Sequence, residues 1–164
     1  MPPMFNPADW PIAWMARAER QHARNATTLL APLGLHHREF RLMAILANSQ
    51  GLTVGELAEQ AVLERPTVSK MVDRLAAEGW VSRVDHPLDR RRTPLALTTE
   101  GQARLEAAIP IVEELFSRYQ RDVTPEEQRR FVREVQDFYL RVHAARPEES
   151  PACTAQGKAG DNTP

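Results

Sequence analysis

The chain has 164 residues, 42% of them hydrophobic and 26% charged, with a formal net charge of −1, which suits one good core or a small lobe with an extension. No run approaches the roughly 18 apolar residues of a membrane span, and the N-terminus lacks the basic-then-apolar pattern of a secretory leader. A bacterial-type cytoplasmic protein with no membrane partner is therefore expected. The single cysteine, Cys153, excludes an internal disulfide and any site built from several cysteines.

Residues 1–9 are Pro-rich and expected to be loosely held. From Trp10 to about Leu30, the residues Trp10, Trp14, Ala18, His22, Ala26 and Leu29 recur at three- and four-residue spacing. That spacing predicts a helix with one apolar face, ended by Pro32 and Gly34. A second helix is predicted from about His36 to Asn48, with Phe40, Met43, Ala44 and Ala47 on one side. Thr53-Val-Gly-Glu56 is a capping box opening a short helix through about Gln60. Pro66 suits the first turn of the next helix, which runs to Glu78 and turns Val68, Val72, Leu75 and Ala76 inward. Thr67, Ser69, Lys70 and Arg74 then point largely outward, and Gly79 is a stop.

Between Val81 and Thr98, two β-prone runs flank a turn carrying Asp89, Arg90, Arg91 and Arg92. Beyond it, Thr98 or Thr99 can cap a long helix to about Arg121, with Leu105, Ala108, Ile109, Val112, Leu115, Phe116 and Tyr119 apolar. Pro110 lies inside that pattern and should bend it. Thr124-Pro-Glu-Glu127 starts a last helix to about Ala145, with Phe131, Val135, Phe138, Tyr139 and Val142 apolar. Residues 147–164 have the composition of a disordered tail.

A helix pair followed by an arginine-tipped hairpin is the layout of a winged helix-turn-helix, which sets one helix in the DNA major groove and the hairpin against the backbone or minor groove. The net charge of −1 argues mildly against nucleic-acid binding. Its distribution answers this: residues 64–93 carry seven basic and five acidic side chains, whereas residues 100–150 carry eight and eleven. A lobe of about 65 residues offers too little surface to bury the long first and last helices. Packing of both chain ends together, and against a second copy, would cover them. The expected architecture is mainly α with a small β-wing. Residues 33–98 form the winged helix-turn-helix, and residues 10–32 and 99–146 the helical dimerisation region. A dimer also sets two reading helices about one DNA turn apart, matching a palindromic site in double-stranded DNA.

Five blocks occur in order: Leu52-Thr-Val-Gly-Glu-Leu-Ala-Glu59, Thr67-Val-Ser-Lys-Met-Val-Asp-Arg-Leu75, Glu78-Gly-Trp-Val-Ser-Arg83, Asp89-Arg-Arg91 and Leu97-Thr-Thr-Glu-Gly101. Together they resemble the signature of MarR-family transcriptional regulators over about residues 10–146. The resemblance implies a triangular homodimer of winged-helix lobes, usually a repressor released from DNA by a small phenolic or aromatic acid. Arg65, Pro66, Thr67, Ser69, Lys70 and Arg74 fall on the helix resembling the recognition helix, where Lys70 and Arg74 can reach guanine edges or phosphates. Asp89 and Arg91 match the family's Asp-x-Arg wing pair, leaving an arginine at the tip for the minor groove, with Arg90 and Arg92 beside it. Asp89 can instead pair with Arg74. Pro94 departs from the aliphatic residue expected on that strand and fits only an edge position.

His37 and Arg41 lie four apart on the second helix; with Trp14 and Arg17 they can line a pocket between the dimerisation region and the reading lobe. Arginine and histidine would take a carboxylate and the indole would cover an aromatic ring. The competing reading makes Trp14 core and Arg17 and Arg41 surface ion-pair residues. No metal-ligand spacing and no resident cofactor is expected, and no phosphate loop, nucleophile elbow or spaced carboxylate pair points to an enzyme. Two alternatives stay open: an effector-independent or architectural DNA-binding protein, and a redox-responsive regulator acting through Cys153, which has no fixed cation nearby in sequence to lower its pKa.

Overall fold

Pro11, whose missing N–H is no loss in a first helical turn, opens α1 (Pro11–Leu30) in the computed structural model, which describes residues 10–49, 51–84 and 93–145. A single 3-10 turn (Ala31–Leu33) and Gly34, in the left-handed region at φ +69°, reverse the chain. Next come α2 (His37–Asn48), α3 (Val54–Ala61) and α4 (Arg65–Ala77), the strands β1 (Val81–Arg83) and β2 (Leu95–Leu97), then α5 (Thr99–Tyr119) and α6 (Pro125–Ala144). The chain divides into two compact units, the first ending at Tyr119 and the second starting at Gln120.

In the first unit, α1 and α5 pack on each other and on α2, while α3 and α4 form the helix pair beside the wing. The core runs through Leu30, Leu35, Leu42, Met43, Leu57, Val68, Val72, Leu75, Leu95 and Leu105, each 2% exposed or less. Only the C-terminal half of α1 joins it. Ala26 and Leu30 are buried, whereas Trp10, Trp14 and Ala18 of the predicted apolar face are exposed. On α2 the inward residues are His37, Glu39, Leu42, Met43 and Leu46; Ala47 is exposed and Phe40 and Ala44 are half-buried. The stripe on α2 is thus rotated from the predicted one, because the helix turns a carboxylate as well as leucines inward.

Local chemistry fixes the ends of these elements. The hydroxyl of Thr53 accepts from the Glu56 N–H and the Glu56 carboxylate accepts from the Thr53 N–H at 2.7 Å, the reciprocal capping box. Val62 ends α3 at φ +52°, a conformation that strains a β-branched residue. Gly79, at φ +76°, closes α4, with the Trp80 N–H returning to the Leu75 carbonyl at 2.9 Å.

The wing strands pair antiparallel with Val81 opposite Leu97, Ser82 opposite Ala96 and Arg83 opposite Leu95. Pro94 sits just before β2, where its lack of an N–H does no harm. Its carbonyl accepts from the Val84 N–H at 2.8 Å, and the Leu95 N–H reaches the Leu52 carbonyl at 2.8 Å. The Thr98 hydroxyl caps α5 by accepting from the Gly101 N–H and donates to the Gly79 carbonyl. Pro110 lies within α5, which continues through it.

In the second unit, Thr124 and Glu127 form the capping box that opens α6. No residue of α6 is buried, and Phe131, Val132, Tyr139, Leu140 and Val142 are all exposed. Among the described residues, no helix is long and apolar enough to cross a membrane.

Candidate nucleic-acid interface

With Val68, Val72 and Leu75 fully buried, the 3.6-residue period of α4 leaves its other side outward. Lys70 on that side and Arg65 and Pro66 in the first turn are exposed, and Thr67 and Ser69 are half-buried. Arg74 is occupied otherwise. Its guanidinium pairs with the buried Glu39 carboxylate of α2 and donates to the Gly34 carbonyl at 2.9 Å. An α4–wing contact absent from the sequence reading joins Arg83 of β1 to Asp73 at 2.6 Å. Its signal, an aspartate and an arginine ten apart across a Gly79 turn, has no periodicity to announce it. Asp89, Arg90, Arg91, Arg92 and Cys153 lie outside the described residues.

The four residues predicted to bind an effector fall in two places. Trp14 is exposed, with the Arg17 guanidinium 4.9 Å from its ring centre. His37 is buried at the start of α2, where its backbone N–H donates to the Thr27 hydroxyl of α1. Arg41 donates to the Ala61 carbonyl at the end of α3, a C-terminal carbonyl that α3 itself cannot satisfy.

Around His37 the helices gather residues that periodicity alone did not bring together. The ring of His22 on α1 meets that of His37 edge to face at 4.7 Å and lies 5.0 Å from Phe116 and 5.9 Å from Tyr119 on α5. Asn25 donates to the Tyr119 hydroxyl at 3.0 Å. Burial holds both imidazoles below their ordinary pKa; for His37 the neighbouring His22 and Arg41 push the same way, and Glu19 opposes. The Nδ1 atoms of His22 and His37 and the Nε of Arg41 are buried without a hydrogen-bond partner among the described residues. A polar ligand is one way to satisfy such groups.

Two open grooves flank α1. One of about 950 Å³ runs past Ile12, Met15, Arg20, Arg24 and Arg38; one of about 410 Å³ includes Arg17. Neither is lined by Trp14, His37 or Arg41. Among the described residues, no group of three or more His, Cys, Asp or Glu could hold a metal ion.

The MarR family model matches residues 35–93, from Leu35 through the helix pair and β1 and ending before β2. The HTH-type transcriptional repressor YetL of Bacillus subtilis is 33% identical over 111 residues, 66% of this chain and 66% of that protein. The homoprotocatechuate degradative operon repressor of Escherichia coli is 27% identical over 117 residues, 71% of this chain and 78% of its own length. A crystal structure of a mutant MarR from E. coli, complexed with operator DNA, superposes with a TM-score of 0.70 at 23% identity, covering 76% of this chain and 90% of that one. The helix pair, the short wing and the matched sequence agree: the chain belongs to the MarR family of winged helix-turn-helix transcription regulators and is not an enzyme.

Proposed function

We propose that this protein is a homodimeric repressor that binds a palindromic operator and leaves it when a small aromatic carboxylate or phenol binds. The observation that carries the reading is the division of α4. Three fully buried aliphatic residues anchor it, Lys70 stands on the opposite side, Thr67 and Ser69 flank it half-buried, and Arg65 is exposed in the first turn, beside a wing strand tied to α4 through Arg83 and Asp73. Short hydroxyl side chains let the helix approach base edges, and Arg65 and Lys70 take phosphates or guanine. Asp89, Arg90, Arg91 and Arg92 supply the wing tip, with Arg91 as the minor-groove contact. Dimerisation covers the apolar residues of α1 (Trp10, Ile12, Trp14) and of α6, which a lone chain leaves in water.

The effector reading rests on the cluster around His37. The unsatisfied ring nitrogens of His22 and His37 and the Arg41 Nε, with the rings of Phe116 and Tyr119 beside His22, suit a ligand with one aromatic face and one acidic or hydroxyl group. The E. coli relative named as a repressor of homoprotocatechuate degradation points to the same ligand class and to control of aromatic-compound catabolism. Trp14 and Arg17, stacked on each other on the exposed side of α1, are a separate candidate contact, and the His37 cluster is the main one. A ligand held there favours a separation of the two reading helices unsuited to successive major grooves, which requires different affinity for the two spacings. The test is a thermal-shift screen of aromatic carboxylates and phenols, followed by duplex binding with and without each hit. A compound that raises Tm and weakens DNA binding supports the reading. DNA binding that none of them alters assigns the protein to effector-independent regulation.

A further inference from the structure

Arg74 carries the family resemblance to a DNA contact, but its guanidinium is turned back into the protein. Both of its terminal nitrogens are engaged, one with the Glu39 carboxylate and the other with the Gly34 carbonyl at 2.9 Å. Glu39 is 3% exposed, and its second oxygen accepts from the His36 N–H at 3.0 Å, at the first turn of α2. One fork thus joins α4 to two points of the corner between α1 and α2. The aliphatic contacts of Val68, Val72 and Leu75 hold α4 against the core, but such contacts are non-directional and tolerate sliding and rotation. A forked, charge-assisted pair has direction. It also penalises displacement, because parting the two leaves a carboxylate buried without its counter-charge.

We propose that Arg74 is a positioning residue and not a phosphate or base contact: with Glu39 and Gly34 it forms a strut that sets the register of the reading helix for operator recognition. This rests on the proposed DNA-reading role of α4. Its consequence is that Glu39, a buried residue with no access to DNA, controls sequence-specific binding as strongly as Arg74 does.

The test uses the full chain and a duplex enriched by the wild-type protein from a randomised library, with an unrelated duplex as control. Affinities are measured by fluorescence anisotropy over a series of salt concentrations, well below each variant's Tm. Glu39→Gln, Arg74→Gln and the double variant are each expected to lower the ratio of specific to non-specific affinity tenfold or more. The double variant should be no worse than either single one, and the slope of log K against log salt should stay as in the wild type. Arg74→Lys keeps the charge but not the fork, and is expected to resemble Arg74→Gln. The proposal is overturned if Arg74→Gln reduces the slope by about 0.9, the signature of one lost phosphate contact, while Glu39→Gln binds normally. It is equally overturned if both variants melt earlier yet bind as tightly as the wild type, which makes the pair a stability element alone. Failure of the wild-type protein to enrich any duplex overturns the DNA-reading role of α4 itself, a result distinguishable from either.

Discussion

A β-carbon at Gly101 would lie 1.9 Å from the Trp80 carbonyl oxygen, so the start of α5 rests on the backbone that leads into β1. That carbonyl also accepts from the Thr98 N–H, and the contact cannot open without losing the α5 cap. Gly101→Ala is therefore expected to destabilise the fold by about 2–3 kcal/mol, as overpacking does, lowering Tm by roughly 5–10 °C; an unchanged melting curve contradicts the packing described. Val62 presents the opposite case. Its left-handed backbone costs a non-glycine residue roughly 1–2 kcal/mol, and its side chain is exposed. Glycine there gives back about 0.5–1 kcal/mol through the unfolded chain. Val62→Gly should still raise Tm by roughly 1–4 °C, and a fall in Tm would show the Val62 side chain to be holding the turn. His22 and His37 give the protein an acid limit above the carboxylate range. Both are held below the ordinary histidine value by burial, so below about pH 6.5 the unfolded chain binds more protons than the folded one. Their contribution is complete above that pH and is lost as pH falls through their lowered folded-state values. Melting curves across this range should show the decline, and His37→Asn should flatten it.

The helix boundaries could be read because they are set by local chemistry. Thr53 with Glu56 and Thr124 with Glu127 cap their helices through residues three apart in sequence, and Gly34 and Gly79 stop them through backbone conformation. The inward face of α4 is legible for the same reason, since Val68, Val72 and Leu75 repeat at helical spacing. What could not be read depends on partners far away in sequence. Glu39 is buried only because Arg74 arrives from 35 residues on, and His22 becomes part of a ring cluster only when α2 and α5 bring His37 and Phe116 to it. Periodicity extends the apolar stripe of α1 too far, to Trp14 and Ala18, because it shows that a face exists and not how far along the helix the core reaches. At this scale the reading surface has its own tests. Lys70→Ala should lower operator affinity and reduce the salt slope by about 0.9 if its ammonium neutralises one phosphate. Arg91→Ala should weaken operator binding roughly tenfold with little change in Tm, measured by anisotropy and thermal melting; normal binding would remove the wing tip from the interface.

For the whole molecule, burial is the deciding quantity. A helix of 20 residues with none buried, such as α6, is marginal by itself. Its exposed Phe131, Tyr139 and Leu140 gain a reason in a dimer. The proposed dimer would in turn give the two copies of α4 a common spacing and hence a palindromic target. A charge placed on that surface, as in Tyr139→Asp, is expected to shift the protein toward monomer and to weaken duplex binding in parallel. The most direct measurement is sedimentation of the purified protein alone and with a selected duplex over a range of salt concentrations. The predicted result is a species of twice the 18.6 kDa chain, binding as two chains per duplex with an affinity that falls steeply as salt rises. A stable single chain with no salt-dependent attraction to duplex DNA would contradict it.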